Sequence, residues 1–224
     1  MKIKGLIFDM DGTMVDNMMT HHRAWQKKLA ALGLELSLEE VKKKIHGINE
    51  EILEREFGDR FSLEERRQIS QEKEAAYREI FLPELKLVNG LSELLQAAFD
   101  ADIPMAIATA APIENVDFVL DNLNIRHFFK SIMHAGIVSK GKPDPEVFEK
   151  AAIDMGIPIE NCIIFEDTPT GAEAAQRAGC PTYIITTTHQ PAEFARFSNV
   201  IDFLKDFTAL TTFFLTTAVA KSAM

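Results

Sequence analysis

The run Gly5-Leu6-Ile7-Phe8 is uninterrupted apolar sequence, and it stops at Asp9-Met10-Asp11-Gly12-Thr13. Apolar residues in a row, with no polar alternation, suit a strand covered on both faces, as in parallel sheets flanked by helices. The two carboxylates then fall at the strand's carboxyl end. In open α/β sheets that edge is where ligands bind.

Later runs repeat the arrangement. Thr109 follows Pro104-Met105-Ala106-Ile107-Ala108, and Glu166 and Asp167 follow Cys162-Ile163-Ile164-Phe165. Lys142, in Gly141-Lys142-Pro143-Asp144-Pro145, comes after the short run Ile132-Met133. Segments far apart in sequence would thus deliver carboxylates, a hydroxyl and an ammonium to one rim, an inventory suited to a metal ion and a phosphate.

Between these runs, helical apolar spacing recurs at 91–99, 114–123, 145–155 and 170–178, and further strands are predicted at 182–185 and 199–201. Strand and helix in alternation make the expected fold class α/β, with a Rossmann-like parallel-sheet core. From Asp16 to Leu85 the strand signals vanish. Trp25, Leu29 and Leu32 recur at helical spacing, Ile48, Ile52, Leu53 and Phe57 mark a second apolar face, and 69–81 suggests a third. The predicted organisation is a core of residues 1–15 and 86–224, with an all-helical cap of residues 16–85 inserted after the first strand.

This order of motifs resembles the haloacid dehalogenase superfamily, and more narrowly its β-phosphoglucomutase-like branch of phosphatases and phosphomutases. Asp9-Met10-Asp11-Gly12-Thr13, Thr109, Lys142 and Glu166-Asp167 match its four signatures in order. The resemblance implies Mg²⁺-dependent phosphoryl transfer through an aspartyl-phosphate, with Asp9 as nucleophile and Asp11 as general acid and base. It also implies Asp9, the Asp11 carbonyl and Asp167 as metal ligands, with Glu166 as a further ligand or a supporting acceptor. Lys142, Thr109 and the amide of Ala110 would hold the phosphoryl group. In the cap, His21 and Trp25 match a segment at the entrance of sugar-phosphate mutases, and Lys73 and Asn115 fall at substrate-contact positions of the family.

One position departs from the mutase pattern. In His46-Gly47-Ile48-Asn49-Glu50, a carboxylate stands near where an arginine grips the substrate's second phosphate, and Glu51 follows it. A carboxylate cannot make the bidentate contact of a guanidinium. Hydrolysis of small phosphorylated metabolites, sugar phosphates first, is therefore expected ahead of a β-phosphoglucomutase-type isomerase, with inorganic pyrophosphate a further possible substrate. A silent binding protein would not need Asp9, Asp11 and Lys142 together. Dehalogenation would not need Asp11, Glu166 and Asp167.

Composition narrows the partners. The 224 residues carry 24 basic and 34 acidic side chains, a net charge of −10, so a nucleic-acid backbone would be repelled. The run Lys42-Lys43-Lys44 sits beside Glu39 and Glu40 and reads as a solvated helix face. Cys162 and Cys180 lack a Cys-x-x-Cys spacing and read as inert core thiols in a reducing compartment. No signal-type apolar segment precedes the first strand, and the apolar stretch from Phe207 to Ala220 is too short to span a bilayer. A cytoplasmic monomer free of membrane is expected, with 207–224 packed on the core or forming a tail.

Overall fold

The computed structural model describes residues 3–45 and 47–210. The chain forms two compact units, one of Asn17–Leu85 and the other of the chain up to Asp16 together with the chain from Lys86.

The second of these units is built on a six-stranded sheet. Its strands are β1 (Gly5–Phe8), β2 (Met105–Ala108), β3 (Phe129–Met133), β4 (Cys162–Glu166), β5 (Thr182–Ile185) and β6 (Val200–Leu204), ordered β3-β2-β1-β4-β5-β6. Every pairing is parallel. The strand order reverses between β1 and β4, where Phe8 pairs with Phe165. Side chains at the carboxyl ends of these two strands therefore border the crevice that an α/β sheet opens at its switch point.

The full burial of β1, β2 and β4 accounts for their apolar runs. On one side Ile7, Ala106, Ala108 and Ile164 pack with Val147, Phe148 and Ala151 of α7 (Glu146–Met155) and with Ala174 and Ala175 of α8 (Pro169–Arg177). Aromatic rings stack across neighbouring strands elsewhere in the sheet, Phe8 on Phe165 at 4.8 Å and Phe165 on Tyr183 at 5.8 Å, with Phe207 against the first two. The helices α5 (Leu91–Asp100) and α6 (Ile113–Asn122) follow the predicted spacings closely. Cys162 and Cys180 are free and buried. The predicted packing of the tail beyond Leu210 lies outside the described residues.

The other unit is helical: α1 (Met18–Ala31), α2 (Leu38–Lys44), α3 (Asn49–Phe57) and α4 (Leu63–Phe81). Its core gathers Trp25, Leu29, Val41, Ile45, Ile52, Leu53 and Ile69. Ser37 with Glu40 and Ser62 with Glu65 form capping boxes that start α2 and α4, each satisfying backbone amides that a helix start leaves unpaired. The lysine run 42–44 is the exposed last turn of α2, where positive charge suits the helix dipole. Ile48 departs from its apolar stripe. It precedes α3 rather than lying on its face and is 58% exposed. Among the described residues no helix is long and apolar enough to cross a membrane.

Candidate active site

Because β1 ends at Phe8 and β4 at Glu166, the carboxylates of Asp9, Glu166 and Asp167 converge. Each offers an oxygen within 4.8 Å of the others, and all three residues are buried. Lys142 enters from the loop between β3 and α7. Its ammonium lies 2.6 Å from Asp9 Oδ1 and 2.7 Å from Glu166 Oε1, with the Phe148 ring 4.8 Å away. A single glutamate ties that loop down. Glu146 accepts the amides of Ser139 and Lys140 and the Ser139 hydroxyl, and it pairs with Lys150.

The charges in this cluster do not balance. Burial pushes Asp9 up, Lys142 pulls it down and Glu166 pushes it up again, leaving its carboxyl at about 8. Burial and the neighbouring charges of Glu166 and Asp9 raise Asp167 as well. Glu166 goes the other way: burial disfavours its charge, but Lys142 and hydrogen bonds from Thr168 outweigh that and hold it ionised. Lys142 is itself raised, since Asp9 and Glu166 outweigh its burial. Three carboxylates thus share one ammonium. A divalent cation among them would supply the missing positive charge, and carboxylate oxygens are the donors a hard cation takes.

The three acids are not equivalent as ligands. Glu166 Oε2 already accepts the Asp167 amide, the Thr168 amide and the Thr168 hydroxyl, each at 2.9 Å, while Oε1 faces Lys142. A carboxylate has about four lone-pair sites, so Glu166 serves as an anchor for Lys142 and for the start of α8. Asp9 and Asp167 keep more of theirs. Two glycines make this packing possible. A Cβ at Gly171 would come within 1.9 Å of the Glu166 carboxyl, and one at Gly12, where φ is +82°, within 2.1 Å of Asp167 Oδ2.

The remaining sequence-predicted residues of this unit lie near the same rim or on adjoining elements. Asp11 follows Asp9 by two residues and bridges to Val15. Thr109 is buried just past β2, the strand beside β1, and its hydroxyl accepts the Ala111 amide at 3.1 Å; Ala110 is exposed. Asn115 is buried in the first turns of α6. His21, Trp25 and Lys73 gather in the helical unit. Lys73, only 2% exposed, is bonded at 2.8 Å both to Glu74 and to His21 Nδ1 and stands 5.5 Å from the Trp25 ring. His21 stacks on Tyr77 at 3.8 Å.

Several participants carry no role predicted from the sequence. Thr13 reaches Asp167 Oδ1 at 3.3 Å, Thr168 holds Glu166, and Thr187 and Thr188 come from the loop after β5. A signal for the last two was available: Thr186-Thr187-Thr188 follows the apolar end of a strand, the same position that singled out Thr109.

Comparison with known proteins shows the family. The family model described as haloacid dehalogenase-like hydrolase matches residues 3–179. The chain is 31% identical over 180 residues to fructose-1-phosphate phosphatase YqaB of Escherichia coli, covering 78% of this chain and 92% of that one. It is 31% identical over 189 residues to the 6-phosphogluconate phosphatase of the same organism, covering 81% and 82%. A solved HAD hydrolase of family IA, variant 3, from Entamoeba histolytica matches with a TM-score of 0.84 at 27% identity, covering 92% of this chain and 95% of that one.

Proposed function

The chain belongs to the haloacid dehalogenase-like hydrolases, and from that membership we propose that it is a Mg²⁺-dependent phosphatase acting on a phosphate ester of a small sugar or sugar acid. The observation that carries this reading is the Asp9 carboxylate, held at 2.6 Å by Lys142 among two further buried acids at the switch point of the sheet.

In the first step Asp9 attacks phosphorus. A carboxylate oxygen–phosphorus bond forms, the ester oxygen–phosphorus bond breaks, and Asp11 gives its proton to the departing alkoxide. In the second, Asp11 takes a proton from water, whose oxygen attacks phosphorus and releases Asp9 and inorganic phosphate. Lys142 offsets charge on Asp9 and on the phosphoryl oxygens, and the Thr109 hydroxyl with the Ala110 amide holds those oxygens. Asp9, the Asp11 carbonyl and Asp167 would hold Mg²⁺, which supplies electrostatic neutralisation of an anionic phosphate facing an anionic nucleophile.

Two features favour water over a sugar hydroxyl as the acceptor. Glu50 and Glu51, in the first turn of α3, stand in the sequence near where the mutase pattern has an arginine. Lys73, the alternative cation, is engaged by Glu74 and His21. The names of the two Escherichia coli relatives support a phosphorylated sugar or sugar acid as the substrate. Buried free thiols accord with a reducing cytoplasm, and the reading takes the protein as a monomer.

The test is a turnover screen with Mg²⁺ against sugar monophosphates, phosphorylated sugar acids, sugar bisphosphates and pyrophosphate, measuring phosphate release and isomerised product together. Phosphate release from a sugar phosphate, abolished by EDTA, is expected. Isomerisation outpacing release would replace the hydrolase with a mutase.

A further inference from the structure

The strand β5 contributes none of the family's motif residues, yet the loop that leaves it reaches both acidic segments. Its carboxyl end lies beside that of β4, with Glu166 paired to Ile184, so the residues after Ile185 arrive at the same rim. Thr186 is fixed there by its amide and hydroxyl, both donated to the Leu204 carbonyl. Thr187 then donates its hydroxyl to the Gly12 carbonyl, in the loop that carries Asp9 and Asp11. The Thr188 hydroxyl lies in hydrogen-bonding contact with Asp167 Oδ2 and 3.1 Å from the Asp167 main-chain oxygen, and His189 Nδ1 stands 2.9 Å from it.

A hydroxyl has one proton to give. Once Asp167 is ionised, as a metal ligand must be, its carboxylate is the stronger acceptor, so Thr188 gives its O–H to Asp167 Oδ2 and can accept from the Nδ1–H tautomer of His189. The methyl side of Thr188 is used as well: its Cγ2 would be 3.1 Å from a Cβ at Gly12, which places it against a residue that has no room for a side chain. Thr188 is therefore confined on both branches, and it can confine Asp167 in turn. Among the described residues, the opposite oxygen, Oδ1, has the longer 3.3 Å bond from Thr13.

We propose that Thr188 is the positioning residue for Asp167, fixing the rotation of its carboxylate so that the acidic cluster is preset for a divalent cation. The inference rests on the metal-dependent reading above. Its chemical basis is that a carboxylate left free to turn must be ordered when the cation binds, whereas one already held by a hydroxyl need not be. Removing such a supporting hydrogen bond lowers metal affinity by about ten- to a hundredfold. Because Thr188 touches neither nucleophile nor phosphate in this scheme, the loss falls first on metal binding.

Full-length native protein, Thr188→Val, Thr188→Ser and Asp167→Ala are titrated with Mn²⁺, following the free-ion electron paramagnetic resonance signal, and Mg²⁺ is titrated in the turnover assay. Valine keeps the shape without the hydroxyl, and serine keeps the hydroxyl without the methyl; Thr188→Ala replaces valine should that variant not fold. Weaker Mn²⁺ binding in the valine variant by about tenfold or more, a parallel rise in the Mg²⁺ needed for half-maximal turnover, and recovery in the serine variant are expected. Native-like binding in Thr188→Val, with binding lost in Asp167→Ala, overturns the role of Thr188 while leaving the metal-dependent phosphatase standing. Equal loss in the serine and valine variants overturns it too, since packing and not the hydroxyl would then matter. Failure of the native protein to bind Mn²⁺ removes the metal reading, and this inference with it.

Discussion

Lys142 Nζ lies 2.6 Å from Asp9 Oδ1, a contact between residues 133 positions apart in the chain. It holds the carboxylate at the end of β1 beside a permanent positive charge, while burial and Glu166 work against its ionisation. Replacing Asp9 with Asn keeps the size and removes the nucleophile. Turnover should fall at least about a thousandfold, as when nucleophiles are deleted elsewhere, with the circular dichroism spectrum and melting temperature preserved. Retention of a tenth of native activity would reject Asp9 as the nucleophile.

Metal and proton compete for the same acids. Burial pushes the Asp9 carboxyl up to about 8, so below that pH the cation must displace a proton from it to bind; Asp167, raised by burial and by Glu166 and Asp9, adds to the competition. The sign follows directly: raising pH across that range removes the competing protons, so the Mg²⁺ concentration for half-maximal turnover should fall, by up to about tenfold per pH unit for each proton displaced. Above pH 8 the part due to Asp9 should level off. A metal requirement independent of pH would mean that these carboxyls are ionised before metal arrives. Excess EDTA should silence the enzyme at every pH.

Gly171 tests the anchoring of Glu166. A methyl there would meet the Glu166 carboxyl at 1.9 Å, and that carboxyl is already bonded to Lys142, Thr168 and the Asp167 amide. Gly171→Ala should cost about 1 to 3 kcal/mol, as other overpacking substitutions do. Gly141→Ala, where a Cβ would meet nothing within 4 Å, should stay within about 0.5 kcal/mol of native. Denaturant unfolding compares the two, and equal stabilities would show that the carboxyl has room to move.

His21 supplies a pH signature in the helical unit. Burial and then the Lys73 ammonium lower its pKa to about 3, Glu74 pulling the other way and His22 adding slightly to the fall. An unfolded histidine titrates near 6.5, so between pH 6.5 and 3 the unfolded chain binds the extra proton. The stability from a neutral His21 is complete above pH 6.5 and is lost as pH falls below it. His21→Gln, which cannot titrate, should melt lower at pH 7 for want of the Tyr77 stacking, and its deficit should narrow by pH 4.5. Melting curves that stay parallel across that range would contradict the assignment.

The sheet was legible because β1, β2 and β4 are buried throughout, so each appears in the sequence as an apolar run whose end is sharply marked. Asp9, Thr109 and Glu166 could be located from that alone. What stayed hidden are contacts that only the strand order creates. Thr188 meets Asp167 because β5 lies beside β4, and Thr187 meets Gly12 across 175 positions; neither pairing has a local pattern. Ile48 misled by its chemistry, since an apolar residue one step before a helix keeps the spacing of a stripe without sharing its face. Lys73 could be read as a cation but not as an engaged one, because adjacent residues on a helix do not ordinarily face each other and its other partner, His21, comes from α1.

Glu50 is the residue on which acceptor choice can be tested by gain. It stands half-buried in the first turn of α3, a place where a carboxylate suits the helix dipole and an arginine would cost about 0.3 to 1 kcal/mol of stability. If the native protein lacks a grip for a second phosphate, a sugar bisphosphate should bind little better than the monophosphate. Glu50→Arg should then raise bisphosphate affinity selectively. A well-made charge-assisted hydrogen bond contributes roughly 1.5 to 3 kcal/mol, equivalent to about ten- to a hundredfold in affinity, and monophosphate binding should change far less. Equal gains for both ligands would mean that the arginine acts through general attraction and not through the distal phosphate. Should native protein primed with bisphosphate isomerise a sugar monophosphate faster than it releases phosphate, the second-phosphate grip already exists, and Lys73 would have to leave Glu74 to provide it.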